Sequence, residues 1–348
     1  MRPPPRRILL IRLSAIGDVV MATPLIAALR RRHPGAYLAW MVEPAAAGLL
    51  RANPDLDEVI VWPRAEWRLL RQSGRYAAWL AAVRDFIKGL RQRHFDLVID
   101  AQGLMKSALW ARLSGAGERI GLGSREASRM LMTRVITDAS DGRRIGSEYL
   151  ELAKALELET GDFAMRIAIA QGDEAWAAGW ARRTGPYAVF CPFTTRPQKH
   201  WFEDRWVDLA EVVNTRFGLT PVLLGGAEDR AAAARLVAAS TLIRSEAGEL
   251  SLARSAALIE HAACLVGVDT GLTHMGIAFG IPTVTLFGST RPYLDTTRAN
   301  ARVLYEPLEC SPCRRHPTCG GQYTCMRLLD VERVAATLEQ VMPAERGP

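Results

Sequence analysis

The sequence predicts an α/β protein built from two Rossmann-like domains. Short apolar runs of strand length alternate with amphipathic helical patterns, which is typical of parallel sheets covered by helices on both faces. The series occurs twice, and 348 residues suffice for two domains with separate cores. No apolar run approaches the roughly 20 residues of a membrane span. We therefore expect a cytoplasmic protein.

In the first half, four apolar runs predict strands and two patterns predict helices. Pro24 suits the first turn of the first of these helices. The strands are Ile8–Leu13, Ala36–Val42, Glu58–Trp62 and Leu97–Asp100, and the helices are Thr23–Arg32 and Ala78–Arg93.

In the second half, the same alternation recurs after a predicted boundary within Glu157–Pro186. That boundary contains one more predicted strand, Ala164–Ala170, and a helix, Asp173–Arg183. We place the domains at residues 1–165 and 166–348, and the last helix is a candidate for packing back on the first domain. The remaining strands are Tyr187–Cys191, Thr220–Leu224, Cys264–Val268 and Thr283–Phe287, and the helices are Trp206–Arg216, Glu228–Ser240 and Ser251–His261.

The chain is mildly basic, with a formal net charge of +7 at pH 7. Anionic small molecules or an anionic membrane face explain this bias as well as nucleic acid does, and we expect no nucleic-acid partner. Basic residues concentrate between Arg64 and Arg93, where they form either a solvated helix face or a wall for an anionic acceptor. Trp62, Trp67 and Trp79 interleave with them and suit either an amphipathic ligand or the core.

Four of the six cysteines crowd the C-terminal end with the spacing C-x2-C-x5-C-x5-C. In a cytosolic protein, such cysteines favour free thiols or a metal site over disulfides. A zinc site and a reduced cluster that stabilises a loop both remain open, since the second pair lacks the spacing of a zinc ribbon. The four residues are Cys310, Cys313, Cys319 and Cys325.

Two segments, far apart in the chain, have the pattern of a strand, a tight turn and a helix start. The first is Ser14–Asp18 and the second is Asp269–His274, which contains Thr270, Gly271, Leu272 and Thr273. Helix N-termini present N–H groups and a positive dipole end to anions. Two such half-sites predict a cleft enzyme that handles a phosphorylated donor.

Further polar residues follow neighbouring strands of the second domain. Thr194, Thr195 and Lys199 follow one strand, and Glu228 follows the next strand after a Gly-Gly turn. Ligands bind at the carboxyl ends of parallel strands, so these residues and Asp269–His274 predict a nucleoside-diphosphate pocket. The sequence has neither G-x-G-x-x-G nor a Walker A motif, which argues against a classical NAD site and a P-loop ATPase.

Asp18 is a candidate general base, because a helix N-terminus favours the ionised carboxylate. The alternative is an ordinary acid in the first turn of a helix. Lys199 and the N–H groups near Gly271 and Leu272 are candidates for stabilising the departing diphosphate.

Four segments of the chain resemble glycosyltransferase family nine, the bacterial ADP-heptose:lipopolysaccharide heptosyltransferases. They occur in the expected order, and the resemblance spans roughly residues 7–340. Two of the segments, Gln102–Ser107 and Lys199–Trp201, look most like heptosyltransferase I. The segments are Arg12–Val19, Asp100–Ala108, Lys199–Trp201 and Asp269–His274.

The resemblance implies the GT-B fold, with two Rossmann-like domains whose parallel sheets face across a cleft. It implies an inverting enzyme without a metal or other cofactor, which moves heptose from ADP-L-glycero-D-manno-heptose to Kdo of the lipopolysaccharide inner core. Asp18 would be the base. The donor would meet Thr194, Thr195, Lys199, Glu228 (or Asp229) and Asp269–His274, and the acceptor would meet Arg64, Arg68, Gln102 and Lys106.

The resemblance also implies a monomer that works on lipid A-Kdo at the inner face of the cytoplasmic membrane. The cysteine cluster looks more like heptosyltransferase II, which leaves open another envelope-glycan acceptor. A nucleotide-sugar epimerase and a non-catalytic nucleotide-sugar-binding protein are further alternatives, because fold alone does not decide function.

Overall fold

The computed structural model describes residues 4–342. The chain divides into two compact units. The first comprises the residues up to 140 together with 146–164, and the second comprises 141–145 together with the residues from 165 onward.

The first unit is a six-stranded parallel sheet in the order β3-β2-β1-β4-β5-β6. Its strands are β1 (Arg7–Ile11), β2 (Tyr37–Val42), β3 (Glu58–Val61), β4 (Leu97–Asp100), β5 (Glu118–Leu122) and β6 (Arg134–Ile136). Its helices are α1 (Ile16–Ala22), α2 (Pro24–Arg32), α3 (Pro44–Ala47), α4 (Arg64–Gln72), α5 (Tyr76–Gln92), α6 (Met105–Leu113) and α7 (Ser147–Ala155).

Successive side chains of β1 enter two different cores, one on each face of this sheet. Ile8 and Leu10 pack in the core that includes residues of α1, α2 and α7. Leu9 and Ile11 pack in the core that includes residues of α4, α5 and α6. Both faces are therefore covered, which explains why the strand sequence is apolar throughout rather than alternating.

The second unit repeats this topology with the strand order β12-β11-β10-β7-β8-β9. Its strands are β7 (Tyr187–Cys191), β8 (Thr220–Leu223), β9 (Arg244–Ser245), β10 (Cys264–Val268), β11 (Thr283–Phe287) and β12 (Ala301–Tyr305). Its helices are α8 (Gln171–Thr184), α9 (Glu203–Phe217), α10 (Arg230–Ala239), α11 (Leu252–Glu260), α12 (Gly271–Phe279), α13 (Thr324–Arg327) and α14 (Val331–Val341). The last helix, α14, packs against α9, β11 and β12.

The eight strands predicted from apolar runs of the two series are confirmed, and so are the helices between them, with ends that differ by a few residues. The predicted strand Ala164–Ala170 is wrong, because this segment is an extended connection without a partner strand. The sequence analysis missed β5, β6, β9 and β12. Of these, β6, β9 and β12 are short or lie at an edge, and polar residues face solvent there.

Two of the three tryptophans in the basic stretch belong to the core. Trp62 and Trp67 are 9% and 8% exposed, and both rings contact Trp110 of α6. Trp79 is half-buried against the same cluster. The basic residues of α4 and α5 therefore lie on the outer side of a helix layer whose inner side is aromatic. No helix within residues 4–342 is both long and apolar enough to cross a bilayer.

Candidate active site

The candidate residues gather where the strand order of each sheet reverses direction. In the first unit this point lies between β1 and β4, and in the second it lies between β7 and β10. The loops after two such strands leave to opposite faces of the sheet and open a crevice between them, where ligands bind in open α/β sheets. Each unit thus has a point of this kind in its own sheet.

Asp18 lies in the first turn of α1, immediately after the loop that follows β1. Its Oδ2 accepts a hydrogen bond from the Ala15 N–H at 3.1 Å and pairs with an Nη of Arg12. Both contacts use the same carboxylate oxygen, so Oδ1 keeps its lone pairs for another partner. The side chain is 34% exposed and therefore only partly covered by the protein.

Arg12 orients Asp18 from a buried position. Its other Nη donates to the Ala101 carbonyl at 3.0 Å, so the guanidinium is fixed between the loops after β1 and β4. Burial by itself lowers the pKa of Arg12, but the Coulombic effects of Tyr149, Asp18 and Glu148 outweigh it and raise that pKa. The guanidinium therefore stays charged. Burial in turn raises the pKa of Glu148 at the start of α7.

Three of the four residues assigned to the acceptor lie around this loop. Lys106 Nζ is 3.2 Å from Ser14 Oγ and 3.2 Å from Glu43 Oε1. Arg64 Nη1 reaches the same Glu43 oxygen at 3.3 Å. The Oε1 atom of Gln102 accepts from the Leu13 N–H at 2.9 Å, so this side chain holds the loop after β1 in place.

Arg68, the fourth acceptor candidate, lies one turn further along α4 and is exposed. Within residues 4–342, no carboxylate pairs with it. The structure therefore places Gln102 and Lys106 against the loop after β1, joins Arg64 to Lys106 through Glu43, and leaves Arg68 exposed on α4.

Asp100 organises the loop that carries Gln102. It is fully buried at the end of β4 and accepts from the N–H groups of Gln102 and Gly103 and from Ser107 Oγ at 2.9–3.1 Å. Gly103 has φ +66°, and a Cβ there would lie 2.1 Å from the Leu122 carbonyl oxygen. Only glycine fits this turn, which explains the Gln-Gly pair in the sequence.

In the second unit, Lys199 and Asp269 form a buried ion pair. Lys199 Nζ lies 2.6 Å from Asp269 Oδ2 and donates to the Asp269 carbonyl at 3.0 Å. Each side chain is 15% exposed. Lys199 comes from the loop after β7 and Asp269 from the end of β10, so the pair spans the crevice. An ammonium group has three donors, and one remains for a ligand.

Asp269 has both carboxylate oxygens occupied. Thr290 Oγ1 donates to Oδ2 at 2.6 Å, and His274 Nε2 lies 3.5 Å from Oδ1. Tyr293 Oη lies 2.9 Å from the other ring nitrogen of His274. Burial raises the pKa of Asp269, but the contacts with His274 and Lys199 outweigh it and hold the pKa well below its usual range. Asp269 is thus a fixed anion that positions Lys199, and not a proton acceptor.

Several donors in this crevice have no partner among residues 4–342. The N–H groups of Gly271 and Leu272 begin α12, where no carbonyl precedes them in the helix. The hydroxyls of Thr194, Thr195 and Thr270 are also without a partner there. Together with Lys199, they are suited to a phosphorylated ligand.

Thr273 differs from the other donor candidates. It is fully buried, and its hydroxyl donates to the Val268 carbonyl at 2.7 Å. Its N–H donates to the Thr270 carbonyl at 3.1 Å. Thr273 therefore closes the turn before α12, and its expected contact with the donor stays a prediction.

Glu228 and Asp229 both lie in the loop after β8, but their carboxylates have different surroundings. Asp229 Oδ2 accepts from the Gly226 N–H at 2.8 Å and so closes its own turn. Glu228 is exposed, and its carboxylate lies over Gly226, where a Cβ would meet it at 2.6 Å. Of the two acids, Glu228 is the one available to a ribose.

The four C-terminal cysteines lie between β12 and α14. Among residues 4–342, no three His, Cys, Asp or Glu side chains are grouped so that they hold a metal ion. All four thiols are free, and they range from exposed Cys310 to buried Cys325. Burial raises the pKa of Cys313 and Cys325. The zinc site and the reduced cluster both stay predictions from the sequence.

Sequence reasoning missed several residues that hold the candidate side chains. Glu43 follows β2, and Thr290 follows β11, so the rule used for Glu228 would have found both. Arg12 lies in the segment Arg12–Val19, but no pattern in the sequence assigns it a role. Glu148 and Tyr293 carry no such signal, because only the tertiary structure brings them to the half-sites.

Two Rossmann-like units, one with a partly exposed carboxylate at a helix start and one with N–H groups and a lysine at a helix start, fit the class of glycosyltransferases that use a nucleotide sugar. The family model "Glycosyltransferase family 9 (heptosyltransferase)" matches residues 83–324. The chain belongs to this family. It is therefore a glycosyltransferase of the heptosyltransferase type, and not a non-catalytic binding protein.

Curated relatives support the resemblance to heptosyltransferase I. The chain is 32% identical to lipopolysaccharide heptosyltransferase 1 of Pseudomonas aeruginosa, over 97% of the chain and 98% of the relative. It is 30% identical to lipopolysaccharide heptosyltransferase 1 of Salmonella typhimurium, over 83% and 90%. Identity to lipopolysaccharide heptosyltransferase 2 of Escherichia coli is lower, 25% over 98% and 100%.

Solved structures agree on the fold. The E. coli heptosyltransferase WaaC with ADP-2-deoxy-2-fluoro heptose superimposes with a TM-score of 0.72 at 27% identity, covering 96% of this chain and 99% of that chain. The E. coli ADP-heptose lps heptosyltransferase II superimposes with a TM-score of 0.77 at 24% identity, covering 96% and 98%. The GT-B fold class expected from the sequence is confirmed.

The buried ion pair generates a prediction about stability. Asp269→Asn should lower the free energy of unfolding by about 3 kcal/mol at neutral pH, because Lys199 loses its buried partner. The folded pKa of Asp269 is depressed, so the stabilisation is present above the ordinary aspartate pKa of about 3.9 and is lost as the pH falls toward the folded value. The deficit of the variant should therefore shrink below about pH 4.

Urea unfolding at several pH values measures this difference. Asp85→Asn is the matched control, since its pair with Arg84 is exposed and should contribute less than about 1 kcal/mol. A deficit that is equally large in acid would contradict the ion-pair explanation.

Proposed function

We propose that this chain transfers heptose from ADP-L-glycero-D-manno-heptose to Kdo of the lipopolysaccharide inner core, with inversion at the sugar. The observation that carries the proposal is the 32% identity to a lipopolysaccharide heptosyltransferase 1 over 97% of the chain. The solved relative that holds ADP-2-deoxy-2-fluoro heptose supports the choice of donor.

The donor site of this proposal is the crevice of the second unit. Lys199 and the N–H groups of Gly271 and Leu272 meet the diphosphate, and Thr194, Thr195 and Thr270 add hydroxyl donors. Glu228 binds the ribose. Positive charge at this position stabilises the charge that develops on the ADP leaving group. The donor is a substrate, and the proposed chemistry has no metal or other cofactor.

Asp18 is the proposed general base, acting through Oδ1. The acceptor hydroxyl gives its proton to this oxygen while the hydroxyl oxygen forms a bond to the anomeric carbon of the heptose. The bond from that carbon to the diphosphate breaks, and ADP leaves with the electron pair. Arg12 holds Oδ2, so the carboxylate keeps its orientation during the transfer. Attack on the face opposite the leaving group inverts the anomeric centre.

The acceptor belongs to the first unit in this proposal. Arg64, Arg68 and Lys106 supply positive charge for a phosphorylated, Kdo-bearing lipid A, and Gln102 shapes the loop beside Asp18. Such an acceptor is an amphiphile held in a bilayer. We therefore propose a monomeric cytoplasmic enzyme that works at the inner face of the membrane, without a nucleic-acid partner.

A second candidate acceptor is an already heptosylated core. The segment Cys310–Cys325 favours it, because its Cys-x2-Cys spacing looks more like heptosyltransferase II than heptosyltransferase I. Donor and chemistry are the same in both cases, and only the acceptor differs.

The direct test is incubation of the purified chain with ADP-heptose and Kdo₂-lipid A, followed by mass spectrometry. We expect a product that is heavier by one heptose. Parallel reactions contain a heptosylated core as acceptor, or ADP-glucose as donor. Transfer to the heptosylated core alone would favour the second candidate, and transfer of glucose alone would overturn the proposed donor.

Removing the base should affect turnover and not donor affinity. Asp18→Asn should lower the rate of transfer by about 10²–10⁴-fold, as expected for the loss of a general base. The dissociation constant of ADP should stay within a factor of about two, because Asp18 belongs to the acceptor unit in this proposal.

Asp204→Asn is the matched control, because Asp204 is also an acid in the first turn of a helix. Equal rates for both variants and the unchanged protein would mean that Asp18 is an ordinary acid of a first helical turn.

Lys199→Ala should weaken donor binding as well as turnover. Loss of one charge-assisted contact to the diphosphate predicts an affinity for ADP that is about 10–100-fold lower by calorimetry. Lys154→Ala serves as control, since Lys154 pairs with Glu151 on an exposed helix face. Unchanged ADP affinity in Lys199→Ala would place the diphosphate elsewhere.

A further inference from the structure

The outer side of the helix layer formed by α4 and α5 combines exposed apolar side chains with a large surplus of positive charge. Residues 64–93 contain eight basic and two acidic residues, a surplus of six in a chain whose whole surplus is seven. Nearly all of the net charge of the protein is therefore concentrated on one helical hairpin.

The apolar residues of this hairpin are exposed because its buried side is already filled. On α4, Trp67 enters the aromatic cluster, and Leu69 lies on the opposite side of the helix with 62% exposure. On α5, Phe86 packs inward, whereas Tyr76 and Leu80 are 59% and 58% exposed. None of these three side chains belongs to the buried cluster that includes Trp67.

The exposed apolar and basic side chains of α5 are arranged with the period of the helix. Tyr76, Leu80, Arg84, Lys88 and Arg91 are spaced by three or four residues and share one side of α5. The side that faces away from the core therefore begins with apolar residues near the turn and continues with basic residues. The two helices contact each other, and the Arg71 guanidinium lies 5.3 Å from the centre of the Trp79 ring.

Much of the positive charge on this hairpin is not neutralised. Arg64 and Arg93 pair with Glu43 and Glu58, and Arg84 pairs with Asp85. Within residues 4–342, no carboxylate pairs with the side chains of Arg68, Arg75 or Lys88. These three cations are available to an anionic partner.

We propose that this hairpin face, comprising Arg68, Leu69, Arg75, Tyr76, Leu80 and Lys88, docks the enzyme on an anionic lipid bilayer. Apolar side chains that protrude singly between cations suit the interface of a bilayer, which accepts the apolar groups between headgroups and attracts the cations. Tyrosine is favoured at such interfaces because its ring is apolar and its hydroxyl remains hydrated. The inference deepens the proposed function, since it names the surface by which the enzyme reaches a membrane-bound acceptor.

The test is co-sedimentation of the full chain with vesicles that contain neither lipid A nor Kdo. One set contains equal parts of phosphatidylglycerol and phosphatidylcholine, and the other contains phosphatidylcholine alone. We expect binding to the anionic vesicles, at least about tenfold weaker binding to the neutral ones, and loss of binding at high salt. Because no donor or acceptor is present, the outcome does not depend on the transfer reaction.

Two variants probe the apolar and the basic residues separately. Leu69→Ser/Tyr76→Ser/Leu80→Ser and Arg75→Glu/Lys88→Glu should each weaken binding to anionic vesicles by about tenfold or more. The controls, Val237→Ser/Leu294→Ser/Leu328→Ser and Arg182→Glu/Arg183→Glu, change the same number of exposed residues in the second unit and should bind like the unchanged protein. Circular dichroism establishes that each variant is folded.

Three results would overturn the proposal. The first is absence of binding to anionic vesicles, and the second is equal binding to both kinds of vesicle. The third is unchanged binding of both hairpin variants, or a loss that is as large in the controls. Self-association that the apolar variant abolishes, in the absence of vesicle binding, would assign the face to a second copy of the chain instead. Vesicle binding without transfer would leave this inference standing and reject only the proposed function.

Discussion

The strand order of the two parallel sheets is the constraint on which the candidate site of each unit depends. In each sheet the first and fourth strands lie side by side, and the loops that follow them leave in opposite directions. A buried strand end, a tight turn and a helix N-terminus then meet at one crevice. Both Asp18 and Asp269 follow such a strand, although the two segments are far apart in the sequence.

The two aspartates have different surroundings, and their proposed roles follow from that difference. Asp18 is partly exposed, and its Oδ2 atom contacts both the Arg12 guanidinium and the Ala15 N–H. The Oδ1 atom is not used in either contact. Asp269 uses both oxygens on Lys199, Thr290 and His274 in a buried position. The first arrangement suits a base that must receive a proton. The second suits a permanent anion that orients a cation, since a carboxylate with so low a pKa does not accept protons at neutral pH.

The helix layer of the first unit shows how one segment serves core and surface at once. Its inner side contributes Trp67 and Phe86 to an aromatic cluster, and its outer side carries the basic residues that dominate the net charge. The sequence analysis left open whether the tryptophans belong to the core or to a ligand-binding surface. Packing decides in favour of the core for Trp62 and Trp67, and identifies Leu69, Tyr76 and Leu80 as the exposed apolar residues instead.

The sequence alone determined the two α/β series, eight of the twelve strands in the described part of the chain, and the family, because buried parallel strands and helix-start turns leave local patterns. It also placed Lys199 and Asp269 at one sheet edge, through the rule for strand ends. Only the tertiary structure decided what each candidate side chain contacts. It buried Thr273 and closed the turn of Asp229 through residues five and three positions away, because the folded geometry of each turn decides which group a hydroxyl or carboxylate meets. It also brought Tyr293 to His274 from 19 residues away, a contact that no local pattern records.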